Sequence, residues 1–263
     1  MSMNRMLERI WRVLMAGVLV VSPSQGAPPG SSGPAPGPEP SRLLEQARQA
    51  NPERYRFALA RGARIGYTRD GSTFYLLWTP PGRGADRSPG PVIATLHGHA
   101  SYAFDELFLW HRQAAARGIG ILALQWWKGR GERFQDYLLP REIYRALDDA
   151  LREAGVRSGQ VMLHGFSRGS ANSYAVTAID RQTRNNYFAL VVANAGKPGR
   201  DFPDNVDLER GRFGPRPLTG TNWVLYCGMH DPNPDRAGCQ GMAEVVVVTH
   251  DHRALDVFDR YRR

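Results

Sequence analysis

"VMLHGFSRGSANSYA", residues 161–175, sets Ser167 between Gly165 and Gly169, behind an apolar run and ahead of a stretch of small residues. The apolar run reads as a strand buried on both faces and the small-residue stretch as a helix. A serine at such a junction is either a nucleophile on a tight strand-to-helix turn or an N-capping residue in a glycine-rich corner. The surrounding chain decides between the two.

Upstream, "ARIGYTRDGSTFYLLWTP" carries two β-prone runs around the turn signal "RDGS", which predicts a hairpin over residues 64–78. Val92–Leu96 then reads as a buried strand, "FDELFLWHRQAAARG" as a helix ended by Gly118, and "IGILALQWW" as another buried strand. "PREIYRALDDALREAGV" is an amphipathic helix in which Pro140 suits the first turn and Ile143, Leu147 and Leu151 recur every four residues. Downstream of the serine helix, "FALVVANAG", "NWVLYCGMHD" and "EVVVVTHDH" read as strands and "ALDVFDRYRR" as a closing helix. A hairpin followed by strand–helix alternation predicts an α/β fold: a mostly parallel eight-stranded sheet flanked by helices. In such sheets functional residues gather at the carboxyl ends of strands. Those ends read HGHAS, QWW, HGFSRG, NAG, CGMHD and THDH, the chemically richest segments of the chain.

The 263 residues allow one large α/β domain, and 42% hydrophobic with 22% charged residues fits a globular protein. The formal charge of +9 is spread along the chain with acids interleaved. No basic helix or aromatic-interleaved basic stripe stands out, so nucleic acid is not an expected partner. At the N-terminus, a basic opening, the nine-residue apolar run Val13–Val21 and the small-residue end "SPSQGA" follow the order of a secretory signal. Residues 1–27 are therefore expected to be a signal peptide, leaving no stable membrane span after its removal and a secreted or periplasmic protein. Residues 28–40 continue a Pro-, Gly- and Ser-rich stretch and predict a disordered linker before a domain over 41–263. In an exported chain the only two cysteines, Cys227 and Cys239, are a reasonable disulfide pair.

The pentad Gly165-Phe166-Ser167-Arg168-Gly169, with a strand before it and a helix after it, resembles the nucleophile elbow of the α/β-hydrolase superfamily, of the secreted serine esterase and lipase kind. The resemblance extends over most of residues 60–263. It implies that "TLHGHAS" supplies half of an oxyanion hole through the backbone N–H of His99, and that the N–H of Arg168 supplies the other half. Both are main-chain contributions.

The family's order of serine, acid, histidine narrows the remaining triad. Of seven histidines only His230, His250 and His252 follow Ser167 at a distance, and His230 lies beside the acid position. The resemblance places the base just past the last strand, at His252 with His250 as the alternative. It places the acid just beyond the penultimate strand, at Asp231 with Asp235 as the alternative. The chain departs from the family in one place: only seventeen residues, Gly228–Glu244, join the last two strands. A parallel crossover needs about a dozen, so the connection is tight, and a Cys227–Cys239 bridge would pin it.

Trp126 and Trp127 follow the fourth strand, where they would either wall a substrate pocket or pack against the helix at 141–154. Residues 196–222 read as a long irregular segment able to cover a site, with Arg200, Arg210, Arg212, Arg216 and Lys197 available to attract an anion. The implied activity is hydrolysis of small or polymer-derived carboxylic esters, with no cofactor and no metal. The competing readings are a peptidase of the same fold, a metal-dependent hydrolase using the pairs His97/His99 and His250/His252, and an inactive binding relative.

Overall fold

Alternate residues of each central strand go to opposite faces of the sheet, and the two faces build two cores. The structure is a computed structural model that describes residues 37–81, 90–227 and Met242. In it Val92, Ala94 and Leu96 join one cluster and Ile93 the other. Leu122 and Leu124 likewise separate from Ile121 and Ala123. This period of two, with both faces apolar, produces the continuous hydrophobic runs seen in the sequence.

The described strands are β1 (Arg64–Tyr67), β2 (Phe74–Trp78), β3 (Val92–Leu96), β4 (Gly120–Leu124), β5 (Val161–Phe166), β6 (Phe188–Asn194) and β7 (Asn222–Tyr226). Their order in the sheet is β1-β2-β4-β3-β5-β6-β7. β1 and β2 form the expected antiparallel hairpin, β2 pairs antiparallel with β4, and β4, β3, β5, β6 and β7 run parallel. At the hairpin turn the Asp70 carboxylate accepts hydrogen bonds from the amide and hydroxyl of Ser72, the local bonding that makes aspartate a turn former. The eighth strand and the closing helix expected after residue 243 lie outside the described residues.

Two helices precede the sheet: α1 (Pro38–Ala50) and α2 (Pro52–Ala60). The sequence pattern predicts no element there, and composition carries the linker through residue 40. That boundary is corrected, because the helix begins at Pro38, a residue suited to the first turn since it has no N–H to leave unsatisfied. Leu43 and Ala47 of α1 and Ala58 of α2 bury against the face that also receives α3 (Ala103–Arg117). Arg54 of α2 pairs with Asp105 of α3 at 2.6 Å. Asp105 also accepts a hydrogen bond from the Tyr102 amide at the start of α3, and Gly118 ends that helix in the left-handed region at φ +62°.

The opposite face carries α4 (Pro140–Glu153) and α5 (Arg168–Gln182), with the short α6 (Pro203–Glu209) packed on α5. Ile143, Leu147 and Leu151 of α4 are buried, as their spacing predicts. In α5 every residue from Asn172 to Asp180 is buried, so that stretch has no polar face. Two of its hydroxyls are satisfied within the helix, Ser173 donating to the Ser170 carbonyl and Thr177 to the Ser173 carbonyl, each at 2.7 Å, while the Tyr174 hydroxyl donates to the Gly196 carbonyl.

Segment 196–222 is not irregular throughout, as its composition suggests, because α6 lies inside it. Asp204 of α6 is buried and receives the Arg141 guanidinium of α4. Asn205 donates to the carbonyls of Ala171 and Gly199. Two of the basic residues expected to attract an anion are paired internally, Arg200 with Glu209 and Arg212 with Asp207.

Candidate active site

Sheet register brings the chemically rich segments together. Leu96 of β3 is level with Gly165 of β5 and Leu124 of β4, Gly165 with Ala193 of β6, and Ala193 with Leu225 of β7. The residues that follow each of these positions therefore emerge along one edge, with Ser167 near its middle.

Ser167 joins β5 to α5. Its backbone lies at φ +51°, ψ −113°, one of four described non-glycine residues with positive φ. A β-carbon makes this conformation costly, and surroundings must enforce it. They do so here through close approach. A Cβ on Gly165 would lie 2.5 Å from the Gly169 carbonyl oxygen and 2.6 Å from the Ser170 nitrogen. A Cβ on Gly169 would strike the Leu96 carbonyl and lie 2.7 Å from that of His97. Both glycines are needed for strand and helix to meet at this distance. The Ser167 amide donates to the Asn194 carbonyl at 2.8 Å, tying the turn to β6. Ser167 makes no side-chain capping hydrogen bond to the helix, which removes the capping explanation for its presence.

Beyond β3, His97 is fully buried. Its Nδ1–H donates to the Gly98 carbonyl at 2.9 Å, and its Nε2 accepts from the Trp126 amide at 3.3 Å. Burial pushes its pKa down to about 4, against smaller opposing effects of the Gly98 carbonyl and Asp105. Both ring nitrogens are engaged, so His97 is a clip between the ends of β3 and β4. It has no free lone pair for a metal shared with His99. Among the described residues no cluster of His, Cys, Asp and Glu is arranged to hold a metal.

The segments that carry the two expected oxyanion donors flank the serine turn. Among the described residues, neither the His99 nor the Arg168 amide meets a hydrogen-bond acceptor. The exposed His99 imidazole lies 3.6 Å from the Glu132 carboxylate and 3.4 Å from the Tyr137 hydroxyl. The Arg168 guanidinium donates to the Glu132 carbonyl and stacks over the Tyr137 ring at 4.6 Å.

The expectation for Trp126 as a substrate wall is corrected. It is fully buried, packs on Tyr137 and donates through Nε1 to the His97 carbonyl at 3.0 Å, so it offers no surface to a substrate. A tryptophan directly after a buried strand carries no signal that separates these two fates. Trp127 is half-buried and donates to the Gly131 carbonyl. Two further residues near the serine escape the sequence reading. Phe166 stays exposed beside Ser167, over Gly98, and Tyr137 is buried against both donor segments. The middle position of the pentad flags Phe166 in principle, but only tertiary contact reveals Tyr137.

Asp231, Asp235, His250, His252 and Cys239 lie outside the described residues. Cys227 directly follows β7 and is half-buried.

The sheet of five parallel strands with a hairpin edge has a counterpart among solved structures. A thermophilic, thermostable carboxylesterase cloned from a metagenomic library superposes with a TM-score of 0.51 over 79% of this chain and 83% of its own, at 15% identity. The chain has the α/β-hydrolase fold. An esterase/lipase from an uncultured bacterium gives a TM-score of 0.48 over 81% and 86%, also at 15% identity. A phospholipase/carboxylesterase from Dyadobacter fermentans gives 0.47 over 67% and 82%, at 15% identity. No family model and no curated protein matches the sequence.

Proposed function

We propose that the chain is an exported serine hydrolase that cleaves carboxylic esters through Ser167, Asp231 and His252. The observation that carries this reading is the backbone of Ser167: a serine held at φ +51°, ψ −113° between two glycines that permit no side chain. Strain of this kind persists where the surrounding structure maintains it, and it exposes the hydroxyl at the tip of a turn. The carboxylesterase that shares the fold agrees with this reading.

In the proposed reaction the His252 imidazole takes the Ser167 hydroxyl proton while Oγ attacks the ester carbonyl carbon. The carbonyl oxygen becomes an anion facing the N–H groups of His99 and Arg168. Collapse expels the alcohol, which takes the proton from His252, and leaves Ser167 acylated. Water, deprotonated by the same imidazole, then attacks the acyl carbon, and the imidazolium returns the proton to Ser167 Oγ as the acid leaves. Asp231 fixes the imidazole tautomer and stabilises its cation. A Cys227–Cys239 disulfide would hold the short connection that carries Asp231. Residues 1–27 would direct export to the periplasm or medium. Among the described residues no helix is long and apolar enough to cross a membrane.

A serine-directed fluorophosphonate probe tests the core of this proposal. Labelling of the wild type, lost in Ser167→Ala and indifferent to chelators, supports it; labelling that survives in Ser167→Ala rejects it. Comparing p-nitrophenyl esters with peptide anilides separates esterase from peptidase. His250→Ala and His252→Ala, assayed singly, decide the base. Full activity in His252→Ala with loss in His250→Ala moves that role to His250.

A further inference from the structure

Tyr137 touches both segments that carry the expected oxyanion donors. Ala100, next to His99, holds a left-handed backbone at φ +45°, which an alanine keeps only when its neighbours hold it there. Its N–H donates to the Tyr137 hydroxyl at 3.0 Å, and the His99 imidazole lies 3.4 Å from the same oxygen. On the other side, the Arg168 guanidinium sits over the Tyr137 ring. The ring is itself fixed. It is fully buried, its centroid is 4.7 Å from that of Trp126, and the Tyr137 amide donates to the Phe134 carbonyl. Trp126 in turn holds His97. One phenol thus connects the loop after β3 to the residue after the serine, beyond Leu96, where the described β3–β5 pairing ends.

We infer that Tyr137 is a positioning residue for the oxyanion hole, its hydroxyl fixing the His99–Ala100 peptide and its ring fixing Arg168. The inference rests on the proposed ester hydrolysis at Ser167. Two backbone donors stabilise an oxyanion only if they are already in place when charge develops. Loosening one of them by about 1 Å costs on the order of a hundredfold in rate, with little effect on ground-state binding.

Tyr137→Phe keeps the ring and removes the hydroxyl. With p-nitrophenyl acetate its kcat is expected to fall about tenfold to a hundredfold at a KM close to that of the wild type, the pattern of an interaction made in the transition state. Affinity for phenylboronic acid, which forms a tetrahedral adduct with a serine oxygen, is expected to fall in parallel. A residue that merely packs would leave both quantities unchanged in Tyr137→Phe. Wild-type kcat and boronate affinity in that variant, or a raised KM at constant kcat, overturns the inference while leaving the hydrolase reading intact. A wild type that neither turns over esters nor takes the fluorophosphonate overturns both. If Tyr137→Phe does not fold, Arg168→Ala takes the side chain off the Tyr137 ring and leaves the Arg168 backbone N–H in place. A lowered kcat at constant KM then supports the inference, and full kcat overturns the ring's part in it.

Discussion

Gly169 of α5 lies against the Leu96 carbonyl of β3, so close that a single methyl at residue 169 would overlap that oxygen. The contact explains how the elbow is built. β3 and β5 are paired neighbours in the sheet, with Leu96 level with Gly165, and α5 must begin directly against them to hold Ser167 in its turn. The colliding atoms are backbone, so they cannot yield as a flexible side chain would. Gly169→Ala is expected to destabilise the fold by about 3 kcal/mol, the upper end of ordinary overpacking, and to displace Ser167. Urea unfolding and ester turnover measure the two effects. A variant with unchanged midpoint and activity would show that helix and strand are further apart than described.

Ser167 itself is held against its backbone preference, which in the proposed reaction sets stability against activity. Glycine tolerates positive φ without a β-carbon clash. Replacing Ser167 by glycine should remove roughly 1–3 kcal/mol of strain and add about 0.5–1 kcal/mol of unfolded-state entropy. The expected balance is a gain of about 1 kcal/mol, with loss of fluorophosphonate labelling. Thermal unfolding of Ser167→Gly beside the wild type gives the answer, and a lower melting temperature in the variant would count against strain at this residue.

These two residues also show how far the sequence can be read. The pentad announces the elbow because close backbone approach demands glycine whichever segment supplies the neighbour: Gly169 and Ser170 for Gly165, and the distant Leu96 and His97 for Gly169. The hairpin and the parallel strands announce themselves through turn residues and apolar continuity. α1 and α2 do not: α1 adjoins a Pro-rich stretch, and only Pro40, Leu43 and Ala47 along it bury. α6 is hidden because its placement depends on long-range bonds from Asp204 to Arg141 and from Asn205 to Ala171. The fate of Trp126 and the role of Tyr137 are illegible for the same reason, since each is decided by partners on other strands and loops.

Asp180 lies near the end of α5 remote from the serine, and its carboxylate accepts three hydrogen bonds. Oδ1 accepts from the Tyr187 amide and the Tyr144 hydroxyl, and Oδ2 accepts from the Phe188 amide, at 3.0, 3.0 and 3.1 Å. An acceptor is needed on both sides. Asn offers only one carbonyl oxygen, so its amide group would face a backbone N–H. Asp180→Asn is therefore expected to cost about 1–3 kcal/mol without changing the KM for esters. Chemical denaturation tests the first half and steady-state kinetics the second; unchanged stability would mean that the three bonds contribute nothing net.

His97 makes stability depend on pH. The native state holds it neutral, with a pKa pushed down to about 4 by burial, whereas the unfolded chain titrates near ~6.5. Between those values the unfolded state binds more protons, so stability must fall as pH falls. The contribution is fully present above about pH 6.5 and is lost as the solution approaches pH 4. A shift of this size corresponds to ~3 kcal/mol over the window. His111, partly buried and also shifted downward by burial and Arg61, adds a slope of the same sign, so the wild-type curve alone does not isolate His97. The difference between wild type and His97→Asn does. The variant is expected to be less stable at about pH 7, where the bonds to Gly98 and Trp126 are lost, yet to decline less steeply between roughly pH 6.5 and 4. Urea unfolding at fixed ionic strength across that range supplies both slopes. Parallel curves would mean that the histidine titrates alike in the folded and unfolded chains, and the clip between β3 and β4 would then need a different hydrogen-bonding account.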